Sequence, residues 1–554
     1  MSYIWARYVL IVITCVALAW GLVSMDGSVT SPGALAFALG PFIVAAGLTV
    51  LYEISARFSS LSDLLALGPS SQWRNAPFWI GVAATALVAF YVTQTGGTST
   101  ITLLVLVPLL LAAWLSAAAH RWYAFPLILV ATPILYYWTY VSGVWIRSEV
   151  INPPWIALFV FGIAWLVGTT RLRRDQLKIP LLVFLYALWT SLLAASNQSP
   201  PWEWIAFHLM NAPVLVFILL QQPVSLRSIK YTTVAAVVAT LLSGAFTSYL
   251  ILQRVGYLPL SLRDLPPFVF DTPAGMTINH MASVYMVALI LAIATFGLAQ
   301  ARVFKALLAG SAGLLSVLLF MTRSLDHLFT TLIALALYGL YKVTKSLKVT
   351  LLAFAIVFSL GVFITIMGPG FIGHSSQYLP DRYSHLIEIR LLSWRVGWET
   401  ILNDPIAGDR YKNLSLEDLP AIISRAPHLG RLAITDAASL YLAIAAHTGL
   451  PGFLLYFSLV PLTIKAALTA AGKAKGTPSE GLIVGLLISF FAVLLVGFTD
   501  GLPFYHVNLM YTLVLWVPIA ALLKAPEWAA SPSPSKVLVN PPASSSSSLP
   551  SRQF

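Results

Sequence analysis

Long apolar runs recur along the chain, separated by short polar segments, and this alternation sets the architecture. A helix crossing a bilayer needs about 20 mostly apolar residues, and about sixteen runs meet that measure. They centre near residues 15, 43, 84, 108, 131, 162, 187, 212, 242, 288, 312, 335, 358, 455, 490 and 515. Some are short or interrupted, as with the run holding Pro126 and Pro133. The pattern predicts an all-α polytopic membrane protein with about 14–16 transmembrane helices. The first run resembles a signal peptide, but similar runs follow and no clean small-residue cleavage site does, so it reads as an uncleaved first span.

One stretch, Met367 to Gly452, departs from the pattern. It opens with a polar passage, 369–437, that predicts one large extracytoplasmic loop carrying short amphipathic helices. Within it, Leu391, Trp394, Trp398 and Ile401 recur at intervals of three, four and three, which is one face of an α-helix. Such a helix is expected at the membrane surface with its tryptophans at the interface. It should stop at Asn403-Asp404-Pro405, because proline cannot continue it. The chain returns to apolar sequence through Asp436-Ala437-Ala438-Ser439-Leu440-Tyr441-Leu442. Residues 1–175 then read as a transmembrane scaffold, 176–368 as core transmembrane helices and 438–526 as C-terminal transmembrane helices. Residues 527–554, rich in serine and proline, read as a disordered cytoplasmic tail.

Composition agrees with membrane insertion. Of 554 residues, 58% are hydrophobic and 9% charged, where a soluble domain carries about a quarter charged. The net charge of +12 does not indicate nucleic acid. Its basic residues cluster in alternate short loops, as the positive-inside rule requires of a chain with both termini in the cytoplasm. The segment 369–437 then falls outside, with seven Arg/Lys against eight Asp/Glu. The lone cysteine, Cys15, has no partner for a disulfide. No nucleotide-binding glycine loop or zinc-ligand spacing is present, so neither metal nor cofactor is expected.

On this topology three outer positions carry candidate chemistry. Thr322-Arg323-Ser324 sets an arginine at a helix edge, with Asp326 placed to pair with it. Arg390 and Arg395 flank the apolar face of the amphipathic helix, and arginine can grip phosphate through two N–H groups. Asp436 is placed to cap the helix that follows, or to act as a base. His280, His327, His374, His385, His428, His447 and His506 also fall on or near the outer side, where polar groups often line a site.

Taken in order, these residues resemble the O-antigen ligase and O-antigen polymerase superfamily of bacterial envelope proteins. Thr322-Arg323-Ser324 is similar to that family's Ser-Arg turn, Arg390 with Trp394 to its Arg-x-x-x-Trp, and Asp404-Pro405-Ile406-Ala407-Gly408 to its Pro-x-x-Gly turn. Tyr441-Leu442 and Ala446-His447-Thr448-Gly449-Leu450-Pro451-Gly452 are similar to the end of its last motif, and Asn279-His280-Met281-Ala282 to an upstream one. The likeness covers roughly 180–525. It implies a glycosyltransferase of the bacterial inner membrane, ligase-like or polymerase-like, of the kind that builds lipopolysaccharide and other envelope polysaccharides. Its donor would be an undecaprenyl-pyrophosphate-linked glycan and its acceptor a sugar on the outer side. Arg323, Arg390 and Arg395 would bind the diphosphate, with Trp394, Asn279 and His280 in support. This chain departs from the family where it matters: Ala438 stands at the position of the family histidine. The candidates for a replacement base are Asp436, His428 and His447. The other classes of function to weigh are a transporter or flippase of lipid-linked sugars and a non-catalytic relative that only binds them.

Overall fold

The computed structural model describes residues 178–195, 225–258, 278–371, 381–409, 438–500 and 509–529, together with 220, 262 and a few positions between 126 and 133. The described elements are α1 (Lys178–Ala195), α2 (Leu226–Val255), α3 (Ile278–Phe296), α4 (Arg302–Met321), α5 (Leu325–Thr344) and α6 (Leu347–Met367). A 3₁₀ turn (Gly368–Phe371) is followed by α7 (Asp381–Asn403), α8 (Leu440–Phe457), α9 (Leu459–Lys473), α10 (Pro478–Val496), α11 (Leu509–Leu523) and α12 (Ala525–Trp528). Seven helical segments here are long and apolar enough to cross a membrane. The chain is an all-α polytopic membrane protein. The expected spans centred near 15, 43, 84, 108, 162 and 212 lie outside the described residues, as does the tail beyond residue 529; the expected start of the tail at 527 is corrected, because Glu527 and Trp528 belong to α12 and Trp528 is buried.

Two helices form the centre. α3 and α10 are buried around almost their whole circumference, whereas α4 and α6 bury only a narrow stripe. A helix apolar on all sides is a core helix when neighbours surround it, and that is the position of α3 and α10. Between them small residues let the backbones approach closely: a Cβ on Gly485 would lie 2.1 Å from that of Ala294. The rings of Phe354 on α6 and Phe491 on α10 stack with centroids 3.7 Å apart. Ends are set by local chemistry. Ser225 and Ser228 form a capping box at the start of α2, and Gly256 closes it in the left-handed region.

The helices alternate in direction, so that charge segregates. Arg227, Lys230, Arg302, Lys305, Lys342, Lys345, Lys348, Lys473 and Lys475 fall at one end of the bundle. The opposite end carries Asn279, Thr322 to Asp326, Gly368 and Gly497 to Asp500.

The span expected near residue 455 has a different form. α8 is broken at Gly449, whose φ of 68° and ψ of 179° no helix contains. Tyr441 and Phe457, sixteen residues apart, stack with ring centroids at 5.1 Å, where a straight helix would separate them by about 24 Å. Tyr456 packs with Leu440 and Ile444. The segment is therefore a helical hairpin with its tip at Gly449, and Pro451 starts the second arm, where a missing N–H costs nothing. α9 then runs to the basic end. The indole N–H of Trp189 on α1 donates to the Thr448 carbonyl (2.8 Å) and ties the tip to the bundle.

Candidate functional site

α7 is the element that assembles the site. It ends at Asn403 as Pro405 requires, but it does not lie free on a membrane surface. Leu391, Leu392, Trp394, Val396 and Ile401 are buried with Leu442, Ala443 and Ala446 of the hairpin's first arm. Trp394 and Trp398 are therefore not interfacial anchors. Their indole N–H groups donate to backbone carbonyls inside the protein, of Ala438 and Thr365 respectively, each at 3.3 Å.

Beyond Asn403 the Pro-x-x-Gly turn locks onto the hairpin tip. Asp409 N–H donates to the Ala446 carbonyl (2.7 Å) and Leu450 N–H to the Pro405 carbonyl (2.8 Å). The backbones touch because both contact residues are glycines. A Cβ on Gly408 would sit 2.1 Å from the Ala446 oxygen, and one on Gly449 would sit 2.0 Å from the Ile406 oxygen. Both also have positive φ, which glycine adopts without a steric penalty. Between these crossings His447 Nδ1 meets Asp409 Oδ1 at 2.7 Å, both side chains about nine-tenths buried.

Arg390 lies near the other end of α7. Its two terminal nitrogens contact the two oxygens of Asp326 at 3.1 and 2.7 Å, the bidentate fork that guanidinium and carboxylate geometry favours. Asp326 thus pairs with Arg390 across 64 residues, and the expectation that it would pair with its neighbour Arg323 gives way to a tertiary contact. Arg323 is exposed at the head of α5, with φ of 45°. The left-handed region costs a non-glycine residue roughly 1–2 kcal/mol. Arg395 forms an i,i+4 ion pair with Glu399 on the same helix.

The return into the bundle begins at Ala438, also left-handed, with φ of 48°. The cap position of the next helix is Ser439, three residues beyond Asp436. Leu440 N–H donates to the Gly497 carbonyl (2.7 Å), and the Ser439 hydroxyl also reaches it (3.3 Å). Gly497 leads to Asp500, whose carboxylate stands 3.7 Å from His327 Nε2. A closed circuit results: Asp326 to Arg390, along α7 to Trp394, across to Ala438, through Gly497 to Asp500, and back to His327 beside Asp326.

Beneath the circuit lies a buried polar cluster. His327 Nδ1 meets the Ser324 hydroxyl at 2.8 Å and Nε2 meets the Ser283 hydroxyl at 2.6 Å. The Ser324 hydroxyl also reaches Asn279 Oδ1 at 3.3 Å. His280 is buried in the same turn of α3. Motif reading singled out Asn279 and His280, and the polar pattern His327. Ser283 and Asp500 carried no signal, because a single serine or aspartate near a span's end has many ordinary roles.

The structure thus brings together Arg323, Arg390, Trp394, Asn279 and His280 near one end of the bundle. His447 stands apart at the hairpin tip, about 13 Å along the arm from Ala438. Asp436 and His428 lie outside the described residues. Among the described residues no cluster of three or more His, Cys, Asp or Glu side chains is arranged for a metal ion.

On the flank of the same assembly runs an apolar groove of about 570 Å³. Phe354 and Phe358 of α6, Trp398 and Ile401 of α7, Phe453 of the hairpin and Ile464 of α9 are among its walls. It follows the bundle from α9 up to the middle of α7, two turns beyond Arg390.

Residues 310–457 match the family model described as O-antigen ligase. A search of curated proteins finds no match to the chain. The matched stretch runs from α4 to the end of the hairpin and holds the Arg323 turn, the Asp326–Arg390 pair, Trp394, the Pro405 turn and Gly449. That stretch of the chain is a domain of the O-antigen ligase superfamily.

Proposed function

We propose that the chain transfers a glycan from a polyprenyl-diphosphate carrier, undecaprenyl diphosphate in bacteria, to an acceptor sugar. The observation that carries this reading is the pairing of Arg390 with Asp326 beside the Arg323 turn, on the same helix α7 whose Trp398, two turns further on, lines an apolar groove. The groove would hold the polyprenyl chain and the arginines its diphosphate. The superfamily match supports the lipid-linked donor. The lysine-rich bundle end would face the cytoplasm and the arginine end the outer side of the inner membrane, in line with the positive-inside rule.

In the reaction, the acceptor hydroxyl oxygen forms a bond to the anomeric carbon while the bond from that carbon to the diphosphate oxygen breaks. The electron pair leaves with the polyprenyl diphosphate. The developing negative charge is what Arg323 and Arg390 would stabilise; Arg395, five residues beyond Arg390 and paired with Glu399, is the third candidate. Guanidinium stays charged at any working pH. Asp326 would hold the Arg390 fork in position, leaving its remaining N–H groups for phosphate oxygens. The hydroxyl proton needs an acceptor, and Ala438 cannot provide one. Asp436, two residues away, is the first candidate. His428 is the second, and His447 the third because of its distance and its engagement with Asp409.

Ala438 also favours a second reading, in which the chain binds lipid-linked glycan without transferring it. One experiment separates the two. Purified full-length protein in nanodiscs is given a polyprenyl-diphosphate oligosaccharide and an acceptor glycan, and the released polyprenyl diphosphate is measured. Transfer predicts release that depends on acceptor. A binder or a flippase leaves the donor chemically intact.

A further inference from the structure

Ser324 holds the N-cap position of α5, yet its side chain makes no cap hydrogen bond. A serine at that position ordinarily accepts from the first turn's N–H groups. Here its hydroxyl turns inward to His327 Nδ1 and Asn279 Oδ1. Local helix stability has been given up for a contact with a neighbouring helix.

The partner is itself an expensive choice. His327 is wholly buried where α3, α5 and α10 pack together, and an ionisable side chain at such a depth is costly unless it is partnered. Both its ring nitrogens are engaged. With the Ser324 proton given to Asn279, the Ser324 lone pair takes the Nδ1–H of His327. In the tautomer protonated at Nδ1, the ring accepts the Ser283 proton at Nε2, with Asp500 at 3.7 Å. The hydrogen bonds join α3 to α5 and engage both ring nitrogens of His327, while Asp500, just beyond α10, stands beside the ring; such buried polar links rigidify the contact between two helices.

One turn of α5 therefore faces two ways. Ser324 and His327 point into the network. Asp326, adjacent to His327, holds Arg390. Arg323, adjacent to Ser324, carries the strained backbone. Its turn is held on the α4 side by Thr322, whose hydroxyl bonds the Leu319 carbonyl (2.6 Å) and receives the Ser324 N–H (3.3 Å). On the α5 side the side-chain contacts of Ser324 are those to His327 and Asn279.

We infer that His327 is a positioning residue for the diphosphate site: through Ser324 it fixes the left-handed Arg323 turn, and through the setting of α5 it fixes the Asp326 fork that holds Arg390. The role assigned to the arginines rests on the function proposed above. The geometric part does not.

The test exploits the two ring nitrogens. Asparagine can replace Nδ1 and keep the Ser324 bond, whereas glutamine can replace Nε2 and keep only the Ser283 bond. In a Cys15→Ala background, Arg323→Cys is labelled with a membrane-impermeant thiol reagent in otherwise full-length protein. The labelling rate should be the same with His327 and His327→Asn. It should change about tenfold with His327→Gln and with Ser324→Ala, because thiol reactivity follows local exposure. The thermal unfolding midpoint should stay close to that of the parent. Equal rates in all four proteins would overturn the positioning role. So would rate changes that track loss of folding in both His327 variants. In parallel, farnesyl diphosphate binding is compared with farnesol. The parent should prefer the diphosphate, and His327→Gln should weaken binding about tenfold while His327→Asn retains it. A parent that binds both probes alike overturns the diphosphate reading, and the labelling rates then decide the positioning role alone.

Discussion

The indole N–H of Trp394 donates to the carbonyl of Ala438, joining the amphipathic helix of the polar segment to the residue at which the chain returns to the bundle. The contact gives Trp394 a purpose beyond bulk. It also explains how Ala438 holds a left-handed backbone without glycine, since the peptide is gripped from α7 on one side and by Gly497 on the other. Trp394→Phe should keep the packing and lose the bond, costing about 1 kcal/mol. Trp394→Ala should cost about 3–5 kcal/mol by opening a cavity. Thermal unfolding of the two variants in detergent measures the difference.

Ala438 itself gives a sharper test. Histidine enters the left-handed region more readily than most residues, so Ala438→His should fold and insert normally. If the chain transfers glycan with a substitute base, the added imidazole should raise the transfer rate or leave it unchanged. A loss of transfer at full expression would mean that the alanine is required, and the acceptor then occupies the space beside it.

The hairpin tip predicts a strong steric effect. Gly408→Ala or Gly449→Ala would place a methyl carbon against a carbonyl oxygen at 2.1 or 2.0 Å, in a backbone conformation alanine resists. Each should destabilise by more than about 2 kcal/mol. Because the two glycines contact each other's strands, the double variant should cost less than the sum. Additive losses would show that the two segments do not interlock.

His447 and Asp409 decide between a structural pin and a base. The pair is nine-tenths buried, and removing one partner of a buried hydrogen bond costs about 1–3 kcal/mol. His447→Gln and Asp409→Asn should therefore lower the unfolding midpoint, and the double variant should recover part of the loss. If His447 is the base, His447→Gln instead abolishes transfer at an unchanged midpoint.

Much of this architecture could be read from the residues. Apolar runs located α1 to α6, α10 and α11, and the spacing of Leu391, Trp394, Trp398 and Ile401 drew the correct face of α7 along with its end before Pro405. Those signals are local, repeating every turn. What escaped was non-local. Asp326 sits three residues from one arginine yet pairs with another 64 residues away, since helix ends bring distant side chains closer than sequence neighbours. The reversal at Gly449 was hidden because its two arms read as one apolar run. The face of α7 was assigned to lipid when the first arm of the hairpin covers it, and an apolar stripe does not say which apolar partner it meets.

Arg390 is the side chain most exposed to test, because its fork is held in place by Asp326 and lysine cannot reproduce it. The decisive measurement is polyprenyl diphosphate released from a lipid-linked oligosaccharide by full-length protein in nanodiscs, with Arg390, Arg390→Lys and Arg390→Ala compared at matched folding. Release should depend on acceptor, fall about tenfold or more in Arg390→Lys and be lost in Arg390→Ala. Equal release by all three proteins, or an untouched donor in every case, would contradict the role proposed for Arg390.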